Sequence, residues 1–311
     1  MIPFGRTFST VAGCWARIAL MALFALAPGC SRERETTYAP QFADQPAADV
    51  VEYVFAIHPL HNPGRLFAVY GPIVEHLNAN FPGVRFRLEA SRNYAEFEKK
   101  LYARQFHFAL PNPWQTVNAL DHGYSVFGKM GDDENFRGII LVRRDGGING
   151  VADLKGKSVS YPAPTALAAT MMPQYFLHTH GLDVNRDIKN VYVGSQESSI
   201  MNVYLGNVAA GATWPVPWMS FVKEQPEKAR ELVVRWQTET LPNNSLMARD
   251  DVPPAMVEKV AGLLFSLQAT EAGRSMLERI SLSRFEPASA ATYAPVRPWV
   301  RRFSAEVRPV D

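Results

Sequence analysis

From residue 51 onward the chain alternates short apolar runs with longer segments whose apolar positions recur every three or four residues. Residues 51–57, Val-Glu-Tyr-Val-Phe-Ala-Ile, predict a strand, and Leu66, Phe67, Tyr70, Ile73, Val74 and Leu77 recur at helical spacing up to Asn80. Residues 84–88 alternate as a second strand, Asn93 is placed to cap a helix carrying Tyr94, Phe97, Leu101 and Tyr102, residues 106–110 form the next strand, and Pro113 opens a further helix. This β-α-β-α repeat predicts a mainly parallel, helix-covered sheet. Its ligand loops lie beyond the strand ends, at 58–63, 90–94, 111–114 and 161–165.

The strand predicted at 136–143 leaves this first unit, and Asp145-Gly-Gly147 supplies a hinge or turn. A second β-α run follows, with a strand to Tyr161, a helix over 166–180 closed by Gly181, a strand at 191–193, a helix from about Glu197 to Leu205, and strands at 208–213 and 232–236. Residues 244–249 return to the first unit, and from Pro253 onward the pattern is helical. The economical arrangement is two lobes connected by two crossings: residues 50–143 with 241–311, and residues 144–240.

Tyr161-Pro-Ala-Pro-Thr165, between a strand and a helix start, is the stretch best suited to a ligand. A strand that breaks at two prolines and opens a helix at a hydroxyl residue aims unpaired backbone N–H groups and the positive end of the helix dipole at one point, which suits an anion. Pro164 and Thr165 equally satisfy the requirements of a purely structural helix start.

Composition adds three restrictions. A hydrophobic share of 47% over 311 residues is ample for a core. Arg6 and Arg17 flank a segment without acids, Ile18 to Ala27 is a short apolar run, and Ala27-Pro-Gly-Cys30 follows, so residues 1–30 carry the pattern of a secretory signal. A cut before Cys30 matches the acylation site of bacterial lipoproteins, with residues 31–49 as a polar tether, which predicts a periplasmic, membrane-anchored lipoprotein. Removing Arg6 and Arg17 from the 32 basic residues leaves 30, against 30 acidic, so charge offers no case for nucleic acid. Cys14 and Cys30 are the only cysteines, and neither His58 with His61 nor His178 with His180 has the i, i+4 spacing of a zinc site, so no metal or cofactor is expected. With no glycine-rich phosphate loop, Gly-x-Ser-x-Gly or paired-carboxylate pattern, an enzyme is not expected either.

A series of short motifs then decides the family. Ala152-Asp-Leu-Lys-Gly-Lys-Ser-Val159, the Pro164 loop with Pro173 in its helix, Gly181-Leu-Asp183, Val193-Gly-Ser195, residues 206–211, Asn243-Asn244, Asp251-Val-Pro-Pro254 and Tyr293-Ala-Pro-Val-Arg297 stand in the order and spacing of one family. The chain resembles the phosphate/phosphite/phosphonate-binding proteins of ABC importers. The resemblance implies an α/β, two-lobed type 2 periplasmic binding protein fold with two hinge crossings, monomeric, closing on a small oxyanion and handing it to a membrane permease. A ligand-sensing lipoprotein that signals to a histidine kinase is the alternative. Members that bind phosphonate tend to carry Ser-Thr-Ser-Gly where this chain has Ala166, Leu167, Ala168 and Ala169. Each charge-assisted hydrogen bond so lost is worth roughly 1.5–3 kcal/mol.

The remaining candidates for ligand contact are Thr165 and the backbone at Ala166, Ser195 and Gln196 at the next helix start, and the aromatic side chains Tyr94, Trp114, Tyr161 and Trp214. Aromatic walls suit a ligand with an apolar or cationic part.

Overall fold

A computed structural model describes residues 50–310. The expected leader, Cys30 and the tether lie outside the described residues. The chain opens as its periodicity predicts, with β1 (Val51–Ile57), α1 (Pro63–Asn80), β2 (Val84–Ala90), α2 (Tyr94–Tyr102), β3 (Phe108–Leu110) and α3 (Pro113–Ala119). Each helix starts on an asparagine: the side chains of Asn62, Asn93 and Asn112 accept the backbone N–H of Arg65, Glu96 and Gln115. In α1 the buried stripe is Leu66, Val69, Tyr70, Ile73, Val74 and Leu77, while Phe67 stands 50% exposed beside it rather than in it.

The chain continues through β4 (Tyr124–Met130), β5 (Arg137–Arg143), β6 (Ser158–Tyr161), α4 (Met172–Thr179), β7 (Lys189–Tyr192), α5 (Gln196–Tyr204), β8 (Ala210–Thr213), α6 (Pro215–Glu224), α7 (Pro226–Arg230) and β9 (Leu232–Thr240). It closes with β10 (Ser245–Arg249), α8 (Pro254–Phe265), α9 (Glu271–Arg279), β11 (Phe285–Pro287) and α10 (Val296–Glu306). Two sheets result, ordered β11-β4-β10-β3-β1-β2 and β7-β6-β8-β5-β9.

Two expectations change. The sheets are mixed: β1 pairs in parallel with β2 and β3, and β6 with β7 and β8, but β10 runs antiparallel to β3 and β4, and β5 antiparallel to β8 and β9. A strand that arrives directly from the other lobe needs no crossover helix, so it enters antiparallel. The strand at 137–143 also belongs to the second sheet, not the first, which moves the first crossing to residues 131–136 and leaves Asp145-Gly-Gly147 as a turn within the second lobe. Ile139, Ile140, Leu141 and Val142 are all buried, packing on both faces of that sheet, so alternation gave no hint of which sheet they join.

The crossings are tied to each other. Asn243 donates its backbone N–H to Asp133 Oδ1 (2.9 Å) and its amide to the Gly131 carbonyl (2.7 Å), and the Tyr293 hydroxyl donates to the Asn243 carbonyl at 2.5 Å. Two of the motifs behind the resemblance thus meet at the hinge.

The helix expected over 166–180 begins instead with a wide π turn at Leu167–Met171, in which Thr170 and Met171 both donate to the Ala166 carbonyl, before α4 proper. Pro173 has no N–H to give and crowds the carbonyl four residues back, which accounts for the widening. The turn lies directly on β5: a Cβ at Gly138 would stand 2.6 Å from the Ala168 carbonyl oxygen. Gly181, at φ +86, ends the helix as expected. Among the described residues no helix is long and apolar enough to cross a membrane.

Candidate ligand-binding cleft

The ends of the parallel strands in both sheets meet at one interface. From the first lobe come His58 and His61 after β1, Ser91 after β2, Tyr94 and Glu98 on α2, and Asn112 and Gln115 at the start of α3, with Gln115 and Asn112 capping each other. From the second lobe come residues 162–165 after β6, Gln196 and Glu197 at the start of α5, and Thr213 at the end of β8.

Four hydrogen bonds cross between the lobes here. Thr165 Oγ1 donates to Glu98 Oε1 at 2.6 Å, and Asn112 Nδ2 donates to the Thr165 carbonyl at 3.2 Å. Gln196 Nε2 donates to the Tyr94 hydroxyl at 3.4 Å, while its carbonyl accepts from Thr213 Oγ1 at 2.8 Å. His61 Nδ1 lies 2.9 Å from Glu197 Oε1. Away from the strand ends, Arg65 on α1 reaches Glu224 on α6 at 2.5 Å, and Lys223 reaches Glu278 on α9 at 2.8 Å.

Burial sets the electrostatics. Desolvation lowers His58 to about 4, against the support of its bond to the Leu110 carbonyl, so the ring is neutral near neutral pH. Desolvation raises the Glu98 carboxyl, partly offset by the bonds it accepts from Thr165 and from Gln115 Nε2 (2.9 Å). Glu197 feels the same upward push from burial, but its bond to His61 and the charges of His61 and Arg65 outweigh it, and its pKa falls below the ordinary carboxylate value. Among the described residues, His61 Nε2, Glu197 Oε2 and Arg65 Nε are buried with no protein partner, as are Ser91 Oγ after β2 and Thr170 Oγ1 in the π turn.

The expected contact residues divide. Tyr94, Thr165 and Gln196 are brought together in the cross-lobe network. Ala166 flanks it at the start of the π turn; its own N–H is held by the Ala163 carbonyl, and no side chain caps the turn, which leaves the amides after it as the donors at that end. Ser195 serves as helix cap, its hydroxyl accepting the Ser198 N–H (3.1 Å) and donating to Ser198 Oγ (2.9 Å).

The other aromatic residues turn elsewhere. Tyr161 is fully buried against Tyr192, with ring centroids 6.0 Å apart, on the face of β6 opposite Ser160 and its partner Ser199. Trp214 packs on Phe136 at the first crossing (5.9 Å). Trp114 lines a cavity of about 750 Å3 that it shares with Glu98, Tyr102, His122 and Arg301, between α2, α3 and α10. Strand-end position alone does not tell which way an aromatic ring points, since neighbouring residues face opposite sides.

Sequence reasoning did not select Glu98, His61 or Ser91 as ligand contacts; it grouped Glu197 with Ser195 and Gln196 as a helix-start donor cluster, not as the partner of His61. His61 and Ser91 sit on two of the loops it marked. Glu98 sits inside a helix, where no loop signal could find it.

A family model described as "ABC transporter, phosphonate, periplasmic substrate-binding protein" matches residues 55–293. The chain belongs to this family. Among curated relatives it is 20% identical over 192 residues to a probable ABC transporter phosphite binding protein, PhnD1, of Prochlorococcus marinus, covering 58% of this chain and 63% of the relative. It is 22% identical over 257 residues to the phosphate-import protein PhnD of Mycolicibacterium smegmatis, covering 78% of each. The solved structure of PhnD1 from Prochlorococcus marinus in complex with methylphosphonate superposes with a TM-score of 0.74 at 17% identity, over 81% of this chain and 98% of that one. The alkanesulfonate-binding protein SsuA from Xanthomonas axonopodis superposes with a TM-score of 0.61 at 17% identity, over 84% and 94%. These likenesses confirm the two-lobed α/β fold of a type 2 periplasmic binding protein.

Proposed function

We propose that this family member is a solute receptor, anchored in the periplasm through Cys30, that captures a small oxyanion-bearing ligand between its lobes and delivers it to an ABC permease. The observation that carries the reading is the cross-lobe network of Thr165, Glu98, Tyr94 and Gln196 at the strand ends, beside a helix start with no side-chain cap. A ligand held there touches both halves and favours the closed state by its differential affinity for it. The methylphosphonate complex of a relative and the phosphate and phosphite named for others support an oxyanion as the ligand head. With Ala166, Leu167, Ala168 and Ala169 in the turn, backbone N–H groups must hold that head.

A thermal-shift screen of the purified protein against phosphate, phosphite, sulfate and alkyl- and aminoalkylphosphonates tests this. A ligand at a hundred times its dissociation constant adds about 2.7 kcal/mol, a clear rise in melting temperature. Thr165→Ala is expected to weaken the stabilising ligand by about tenfold, the value of one hydrogen bond to a charged group. If no oxyanion-bearing solute stabilises the protein, the receptor reading falls.

A further inference from the structure

A recess of about 430 Å3 lies between α4, β9 and α10, and none of its lining residues belongs to the strand-end network. Small-molecule sites run from about 300 to 1,000 Å3, so the volume is that of a ligand pocket. Its walls come from both lobes: α4 and β9 from the second, α10 from the first. Tyr175 on α4 and Trp299 on α10 meet edge to face across it, ring centroids 5.7 Å apart. Phe176 stands in the same wall, stacked on His180 at 3.9 Å. Tyr175 and Phe176 are only partly buried, so aromatic surface stays open to the recess.

Aromatic faces attract cations, and the Arg302 guanidinium already stands 5.8 Å over the Tyr175 ring. The acids nevertheless outnumber it. Glu239, exposed on the edge strand β9, faces the recess, and Glu306 follows Arg302 by one turn of α10. The Tyr175 hydroxyl registers this field: burial pushes its pKa up first, Glu306 and Glu239 push it further, and Arg302 pulls it down. Two carboxylates thus stand against one guanidinium around a wall of aromatic rings.

The recess also touches the parts that move when the lobes do. Thr238 accepts the Gly138 N–H at 2.9 Å, just after the first crossing, and β9 runs straight into the second crossing at residues 241–244. Met172, at its inner end, follows directly on the π turn.

We propose that this recess is a second binding site, for a flat aromatic ring that carries an ammonium group: the ring packs against Tyr175, Phe176 and Trp299, and the ammonium pairs with Glu239. Because both lobes supply walls, an occupant favours the arrangement of lobes in which those walls meet, and so couples to closure of the cleft. The site is independent of which solute the cleft takes.

Titration calorimetry on the full chain in detergent, with the heat of partitioning into protein-free detergent subtracted, compares tryptamine with indole-3-propionate, the same ring and chain ending in a carboxylate. Tryptamine is expected to bind at least about tenfold more tightly, the scale of one hydrogen bond between charged groups. Glu239→Gln, at an exposed position, is expected to bring the two affinities together, while Glu197→Gln in the cleft leaves their difference intact. No binding of tryptamine, equal binding of the pair, or a difference that Glu197→Gln removes and Glu239→Gln does not, overturns the site. In the Thr165→Val, Gln196→Ala double variant, saturating tryptamine is expected to lower the radius of gyration in small-angle scattering; an unchanged curve overturns the coupling. None of these measurements contains an oxyanion, so the receptor reading stands or falls separately by its own screen.

Discussion

At the scale of single residues, the cleft is expensive chemistry held in place by burial. His58 is the clearest case, because a ring lowered to about 4 stays neutral in the folded protein while its unfolded counterpart titrates near 6.5. Between those values the unfolded state binds the extra proton, so folding stability falls as pH drops from about 6.5 toward 4, by a total on the order of 3 kcal/mol. Replacing the ring by a group that does not titrate, as in His58→Gln, should flatten that limb of the stability profile. Chemical denaturation at a series of pH values measures it; an unchanged profile would mean His58 is not the group responsible. Glu197 adds to the same acid limb, since a depressed carboxyl contributes stability that is lost as pH falls through its folded value. Glu98 works in the opposite direction, because its raised folded value makes its ionised form a cost that grows as pH rises. None of these environments is visible in residue type. Two histidines three positions apart suggested only a failed metal site, and the sequence holds no sign that one would become a buried neutral ring and the other the partner of a glutamate 136 positions away.

At the scale of elements, the start of α4 is the part most specific to this chain. Its π turn exists because Pro173 disrupts the ordinary ladder, and it can approach β5 only because residue 138 is glycine. Gly138→Ala would place a methyl group 2.6 Å from the Ala168 carbonyl and from Pro173 Cδ, so the turn must move. The expected cost is about 1–3 kcal/mol in denaturant unfolding, the range for overpacking, with a loss of ligand affinity on the proposal that the displaced amides hold the oxyanion. A variant of parental stability and affinity would show that the contact is easily relieved. The elements themselves were largely legible: asparagine caps, helical stripes and apolar strands announced β1 through α3 in order. Short, doubly buried β5 was legible as a strand but not as a member of either sheet, because an uninterrupted apolar run has no face to declare.

At the scale of the whole molecule, two lobes share two crossings and a set of bonds that exist only when they meet. The tail after α10 adds to them, with Arg308 grasping the Pro164 carbonyl and Asn185 of the second lobe donating to the Val307 carbonyl at 2.7 Å. The bond of Thr165 to the Glu98 carboxylate is worth about 1.5–3 kcal/mol and that of Gln196 to the Tyr94 hydroxyl about 1 kcal/mol, so Thr165→Val together with Gln196→Ala should shift the closed-to-open ratio by roughly a hundredfold toward open. Small-angle scattering should register this as a larger radius of gyration that ligand reverses. An identical scattering curve with and without the two substitutions would mean that the hinge bonds around Asn243, rather than the cleft, hold the lobes together.

The sequence by itself determined the α/β class, the order of the elements, the loops at the strand ends and, through the ordered motifs from Ala152 to Arg297, the family. Those properties follow from local periodicity, capping and turn chemistry, which act over a few residues. Only the tertiary structure decided which sheet takes β5, which way each aromatic ring faces, and that Glu98 meets Thr165 and His61 meets Glu197 across the lobes. Those depend on which distant surfaces close against each other, and the burial that makes two carboxylates and a neutral histidine informative arises only once the lobes have met.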